Sequence, residues 1–467
     1  MKISFPIEKV AKYIPSIEKP TYKQTVNTRL KWTGIALLMY FILASTQVFG
    51  IEAGNYEQFK FYEIVLGSKF GSLMTLGIGP IVTSGILLQL LVGSKIIDWD
   101  TTKPEEREKF QMWNKFLAVL LCFLEGIFFV AFGTLPVVNN LLIKVFVVIQ
   151  LAAGAIIVML LDELVSKWGF GSGISLFIAA GVSKQILIST FSPFMGTYIP
   201  GYSTPGLFWT FISAIFSNNN NLAILAITPI ISTAIVFILV VYIQNIRVEI
   251  PLAFSAIRGF GRSWALKLLY TSNIPIILTA AVVANLQLVS QMVGTPNEMG
   301  LNCSILGCFD PTTRQAVSGL IYYITSPRNL IRNALQFNVP TSEIIRAVSY
   351  TLFLCICAMI FSVFWVSTSG MDAASVAEQL EGIGLQIPGY RRNKVIMESV
   401  LNKYIPALAV LGGLAVGLLA AFADFTGALG TGTGMLLTVM IVYNYYEELR
   451  AQRLDEAHPL VRKVFGE

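Results

Sequence analysis

Ten largely apolar runs, 13 to 22 residues long, recur along this chain and decide its solvent. They fall near residues 32–48, 75–92, 116–132, 141–161, 174–190, 222–243, 274–293, 345–366, 405–423 and 434–446. In hydrocarbon every backbone N–H and C=O must find its partner inside the protein, which leaves helix bundles or closed barrels. The runs are largely apolar and do not alternate with period two, so helices are expected. Composition agrees: 13% of the residues are charged, about half the share of a soluble domain.

Lysine and arginine set the orientation of such a bundle. With the N-terminus on the cytoplasmic side, 25 of the 33 Lys and Arg fall on that side. An even number of spans with both termini inside is therefore expected. Residues 1–30 hold no secretory apolar core or cleavage pattern. Ile7, Val10, Ile14 and Ile17, interleaved with lysines, read as an interfacial helix. The domain reading that follows is an N-terminal half at 31–190, an external loop at 191–221, a C-terminal half at 222–449 and a cytoplasmic tail at 450–467. Cytoplasmic loops are expected at 247–267 and 368–404.

A weak internal repeat is visible at an offset of five helices. GIGPIV at 77–82 matches SNIPII at 272–277, and GFGSGI at 169–174 matches GALGTGTGML at 427–436. An odd offset inverts the second half relative to the first, and in inverted repeats the functional path lies between the halves. Frequent Gly and Pro in membrane helices could produce the same likeness by chance.

Few groups capable of chemistry lie in the runs. Glu125, Asp162, Glu163 and Asp424 are the acidic residues in or near them, and only Glu125 reads as deep. One isolated carboxyl is a thin basis for an ion-driven pump. With a single histidine, His458, neither a zinc site nor a Ser-His-Asp triad can be assembled, so no enzyme and no cofactor are expected. Cys122, Cys355 and Cys357 sit within apolar runs. Cys303 and Cys308 sit in an external loop, and the sequence leaves open whether they are bridged. The stretch 56–80 begins amphipathic and charged and ends apolar, with Gly67 and Gly71 between. It reads either as an external surface helix or as a half-helix folded back into a cavity. Small residues beside aliphatic ones in the second, fifth, seventh and tenth runs read first as close helix packing. Basic loops at 247–267 and 368–404 are explained by retention of positive charge inside, although the second is longer than a connector needs and Arg clusters suit a polyanion such as RNA.

Five stretches, TLGIGPIVTSGILLQLLVGS at 75–94, GSGISLFIAAG at 171–181, RVEIPLA at 247–253, SNIPIILTAA at 272–281 and GALGTGTGMLLT at 427–438, closely resemble SecY, the channel-forming subunits of the Sec protein translocase. The likeness runs nearly end to end, and LDELVSKWGFGSG at 161–173 resembles the archaeal and eukaryotic branch. It implies an all-α integral membrane fold: ten transmembrane helices in two inverted pseudo-symmetric five-helix halves around a central pore. A pore ring would fall on Ile78, Val82, Ile174, Ile178, Ile277 and Leu437. A plug half-helix at about 56–69 would carry Tyr56, Phe59, Phe61, Tyr62, Ile64, Val65 and Leu66. A lateral gate would run past Thr83, Gln89, Asn285 and Gln287, and Arg258, Arg262, Arg391 and Arg392 would meet the ribosome. Implied partners are SecE/gamma-type and beta-type small membrane subunits, the ribosome, nascent secretory and membrane polypeptides, and the lipid of the cell membrane. The competing reading is an inverted-repeat secondary transporter of a small solute.

Overall fold

A computed structural model describes residues 15–22, 24–51, 63, 69–93, 96, 97, 99, 104–132, 135–199, 202–254, 261–296, 301–310, 316–327, 330, 340–382, 385, 386 and 394–456. Ten helices of fifteen residues or more run through them: α1 (Val26–Ser45), α2 (Gly79–Gly93), α3 (Pro104–Ala131), α4 (Leu141–Trp168), α5 (Gly173–Phe191), α7 (Asn220–Gln244), α8 (Ile274–Val293), α10 (Thr341–Thr368), α12 (Lys394–Phe425) and α13 (Gly432–Glu456). Seven are long and apolar enough to cross a membrane; α1, α2 and α13 fall short on length or on charge at their ends. Each long helix overlaps one of the ten expected runs.

The helices pack as the repeat requires. In the first half α2 packs on α3, α3 on α4, α4 on α5, and α1 on α4 and α5. Five helices later the pattern returns: α8 on α10, α10 on α12, α12 on α13, and α7 on α12 and α13. The backbone carries the same repeat. Pro80 and Pro275 are each the second residue of their helix, α2 and α8. Three residues before each proline the chain turns through positive φ, at Gly77 (55°) and Ser272 (55°). A serine tolerates this conformation at a cost, and here its hydroxyl accepts from Asn444 Nδ2 at 2.6 Å. The likeness of GIGPIV to SNIPII is thus a shared backbone conformation.

The halves meet along two seams, α2 against α8 and α10, and α5 against α13. The span at α8 is the most enclosed of the seven, 67% buried, whereas that at α7 is 22% buried. One therefore lines the interior, and the other turns its Phe237, Ile238 and Tyr242 outward. Residues 69–78 are irregular yet buried, with Met74, Leu76 and Ile78 almost wholly enclosed. Their backbone is satisfied by protein: Leu73 N donates to Thr46 O at 3.0 Å, and Gly71 O accepts from Val48 N at 3.0 Å. Irregular chain at this depth is stable only when paired in this way.

Several expected boundaries move. The first long helix starts at Val26, inside the expected interfacial segment 1–30, and residues 15–20 are not helical. The expected external loop 191–221 contains a hairpin, β1 (Gly196–Ile199) with β2 (Tyr202–Thr204), and an apolar helix, α6 (Leu207–Phe216), packed on α5 and α7. α6 is too short to span a bilayer, and a 19-residue apolar criterion passes over it. The expected tail at 450–467 begins as helix, because α13 continues to Glu456.

Two small sheets finish the ends of the bundle. β3 (Arg247–Phe254) and β4 (Gly261–Lys267) form a hairpin, and β9 (Leu385–Gln386), which follows α11 (Ala373–Gly382), pairs with β3. The two loops read as separate in sequence therefore join. Beyond α8 lies a four-stranded sheet, β5 (Thr295–Pro296), β6 (Asn302–Ser304), β7 (Gly307–Phe309) and β8 (Ala316–Gly319), leading into α9 (Leu320–Ile324). Cys303 and Cys308 face each other across β6 and β7 and are bridged, which closes the question their spacing left open.

The most intimate helix contact is α10 on α12. Gly413 and Gly417 let the backbones approach: a Cβ at Gly413 would meet Ala358 O at 2.8 Å, and one at Gly417 would meet Cys355 Cα at 2.9 Å. This is close packing by small residues four apart. Gly417→Leu should separate the pair and destabilise the protein by about 1–3 kcal/mol. Thermal unfolding in detergent measures it, and an unchanged midpoint would show the interface to be loose.

Candidate functional site

The six residues expected to form a ring come from four helices, two per half. Val82 is the fourth residue of α2 and Ile277 the fourth of α8; Ile178 is the sixth of α5 and Leu437 the sixth of α13. These four are therefore two repeat-related pairs. Ile78 precedes α2 and Ile174 is the second residue of α5, and their counterparts in the other half are polar, Asn273 and Thr433. The waist is thus symmetric at four positions and aliphatic on one side only at the other two.

All six lie in or against the main hydrophobic core, which draws residues from both halves. Ile78, Val82, Ile178, Ile277 and Leu437 are buried, and half-buried Ile174 packs against the same group. Branched aliphatic side chains offer no hydrogen bond to anything lying between them. Their close contact excludes water, and stripping an ion of its hydration in such surroundings costs many kcal/mol.

The seam between α2 and α8 carries the expected gate residues, and they divide. Asn285 Nδ2 donates to Thr83 Oγ1 at 3.1 Å, directly across the seam. Thr83 in turn donates to Gly79 O at 2.8 Å. The deep carboxyl singled out in the sequence, Glu125 of α3, lies near this pair. Gln287 does not face Gln89. It donates to Thr325 Oγ1, just past α9, at 2.9 Å, while the Gln89 Oε1 is buried without a hydrogen-bond partner. Gln287 lies only two residues after Asn285, and such neighbours on a helix point about 200° apart.

The opposite seam is tied differently. Tyr445 of α13 donates to Ser172 O at 2.8 Å, at the turn that starts α5. Arg29 of α1 lies 3.9 Å from Glu448 of α13.

Basic groups gather at one end of the bundle. Arg247 and Lys267 are direct partners in the β3–β4 register, and the Glu447 carboxylate of α13 bridges both, at 3.3 Å from Arg247. Facing like charges destabilise a strand pair, so Glu447 holds the hairpin base together. Burial beside Asp372 pushes Tyr270 up to about 12. It stays neutral and donates to Met371 O at 2.8 Å, which joins the hairpin's exit to the start of the second basic loop. At the same end Glu163 binds Lys115 at 2.5 Å and the Ile17 N–H at 2.9 Å. Of the expected docking arginines, Arg262 lies in β4 opposite Leu252. Arg258, Arg391 and Arg392 lie outside the described residues, as do Tyr56, Phe59, Phe61, Tyr62, Ile64, Val65 and Leu66 of the expected plug. Glu447 and Ser272 had no signal in the sequence, since one is an ordinary charge near a terminus and the other an ordinary serine.

The SecY family profile matches residues 72–446. The protein translocase subunit SecY of Methanococcus vannielii is 43% identical, covering 98% of this chain and 99% of its own. A solved SecY translocation channel, in which the plug domain stabilises the closed state and maintains a membrane seal, is 41% identical with a TM-score of 0.81, covering 96% of this chain and 98% of that one. Sec61 in the canine ribosome–channel complex from the endoplasmic reticulum is 38% identical with a TM-score of 0.76, covering 96% and 98%.

The bond between Thr83 and Asn285 should appear as an energetic coupling between Thr83→Val and Asn285→Leu. A double-mutant cycle on unfolding in detergent is expected to give about 0.5–1.5 kcal/mol. Strict additivity would mean that the two side chains do not interact across the seam.

Proposed function

The chain belongs to the SecY family, and from that premise we propose that it is the channel through which unfolded polypeptides cross the membrane, with the aliphatic cluster at the waist as its constriction. The placement of Ile78, Val82, Ile178, Ile277 and Leu437 in the buried core shared by the two halves, with Ile174 packed against it, carries this reading. A channel that accepts nearly any sequence cannot make specific hydrogen bonds at its narrowest point. Aliphatic side chains make none, yield by changing rotamer, and close again around whatever passes. A carrier of small solutes would need polar groups at its midpoint, and the waist supplies aliphatic ones.

The α2–α8 seam is the exit toward lipid in this proposal. A segment of about twenty apolar residues gains roughly 0.5 kcal/mol per residue on leaving the channel, while one central charge costs about 3 kcal/mol. Parting Thr83 from Asn285 opens this path, and the bond sets a threshold that a sufficiently apolar segment exceeds. Residues 56–69 serve as the plug, by analogy with the solved SecY channel. The membrane is the cell membrane, with both termini and the basic end in the cytoplasm, as the asymmetry of Lys and Arg supports. The partners are the SecE/gamma-type and beta-type subunits of the translocase and the ribosome, which the ribosome-bound Sec61 relative supports. The β3–β4 hairpin with Arg258 and Arg262, and the loop with Arg391 and Arg392, form the ribosome-facing surface. Their pairing through β9 makes them one platform. The channel supplies a path and requires no catalytic group or cofactor.

Ile78→Asn combined with Ile174→Asn should leave the resting channel leaky to ions in planar bilayers. An unchanged resting conductance would remove the ring assignment. Arg391→Glu with Arg392→Glu should weaken ribosome binding at low salt, with the difference from wild type shrinking as salt rises. Equal binding at every salt concentration would show that these charges only set topology.

A further inference from the structure

Two aspartates at opposite ends of the bundle make the same contact in the two halves. At the start of α5 the Asp162 Oδ1 of α4 accepts from the Ile174 N–H at 2.9 Å. At the start of α13 the Asp424 Oδ1 of α12 accepts from the Thr433 N–H at 2.8 Å. Ile174 and Thr433 are each the second residue of their helix, so the contacts are repeat-related. Each aspartate comes from the preceding long helix and not from the helix it serves. Ser172, the residue that flanks α5, makes no capping bond to its own helix.

Each anchor is reinforced. Asp162 also has the Gly173 N–H and the Ser172 hydroxyl close by. Asp424 Oδ2 accepts from Tyr350 of α10 at 2.5 Å and from the Thr433 hydroxyl. Close backbone approach accompanies both. A Cβ at Gly173 would stand 2.5 Å from Asp162 Cα, and one at Gly432 would stand 1.9 Å from Ala423 C. The first turns of α5 and α13 are therefore wedged against α4 and α12 as well as bonded to them.

We propose that Asp162 and Asp424 are positioning residues of the waist, each holding the first turn of a ring-bearing helix in register with the helix before it. The ring lies immediately downstream of both anchors. Ile174 is itself the residue whose N–H Asp162 holds, Ile178 is one turn further, and Leu437 is one turn beyond Thr433. The first N–H groups of a helix have no partner within it. In a water-poor setting they must be satisfied by protein, and a carboxylate there also opposes the positive end of the helix dipole. A slip of one residue at either start would turn the ring side chains through about 100° and away from the waist. The anchors pull from opposite ends of the bundle, so the waist is fixed between them.

This inference rests on the ring reading above, and one conductance experiment separates the two. The purified translocase carrying Asp162→Ala or Asp424→Ala is reconstituted in planar bilayers beside wild type and the Ile78→Asn, Ile174→Asn double variant. Each alanine variant should raise resting ion conductance at least about tenfold, the scale of one lost hydrogen bond to a charged group. Asp162→Asn and Asp424→Asn keep an acceptor oxygen and should restore tight closure, which a purely global loss of stability would not predict. Folded alanine variants with wild-type conductance, beside a leaky double variant, would overturn the anchors and leave the ring standing. No leak in any variant would overturn both. If Asp162→Ala does not assemble, Asp162→Glu, which keeps the charge and lengthens the arm, gives the same readout: raised conductance supports the anchor, and wild-type conductance overturns it.

Discussion

Everything in this fold depends on backbone groups that cannot turn to water. That constraint makes the ten long elements helices, and it also governs the chain between them. The irregular stretch at 69–78 survives at depth because Thr46, Val48 and its own residues satisfy it. The starts of α5 and α13 survive because aspartates from neighbouring helices take their free N–H groups. Wherever the chain leaves helical geometry inside the bundle, a specific partner has been supplied, and those partners fix the relative placement of the helices.

Each seam joins a helix to its own repeat counterpart, and the two seams differ in chemistry. Along α5 and α13, Tyr445 reaches across to the Ser172 carbonyl, and Arg29 and Glu448 add a long ion pair. Along α2 and α8 the direct bond is between two neutral side chains, Thr83 and Asn285. A bond between neutral groups is worth about 1 kcal/mol net. In the proposed function it is this second seam that parts, with the first as its hinge.

The basic end adds a second level of organisation. Glu447 neutralises the facing pair Arg247 and Lys267 at the hairpin base, and Tyr270 and β9 join that hairpin to the other basic loop. Charges that would repel one another if isolated are thereby presented from one braced platform. On the opposite end the bridged Cys303 and Cys308 brace the sheet that extends α8, and Ser290 bonds Ser304 at the junction. The gate helix is held at its far end by this sheet and at its near end by Ser272 and Asn444.

The positions of the long helices and the order of the two halves could both be read along the chain. Each rests on a property local in sequence: run length, charge asymmetry, or a Gly/Pro pattern that a particular turn demands. The α6 helix was invisible because ten residues are too few to register as a span. The pairing of Gln287 with Thr325 rather than toward Gln89 was invisible because helical facing depends on how α8 is rotated in the bundle. Asp162 and Asp424 read as interfacial charges until the fold set them against helix starts twelve and nine residues onward. The sequence by itself determined which segments form the long apolar helices, because lipid acts on each segment separately. Only the tertiary structure decided which side chains meet at the waist, across the seams and at the helix starts, because a hydrogen bond or an aliphatic contact exists only once two distant helices have taken up one register.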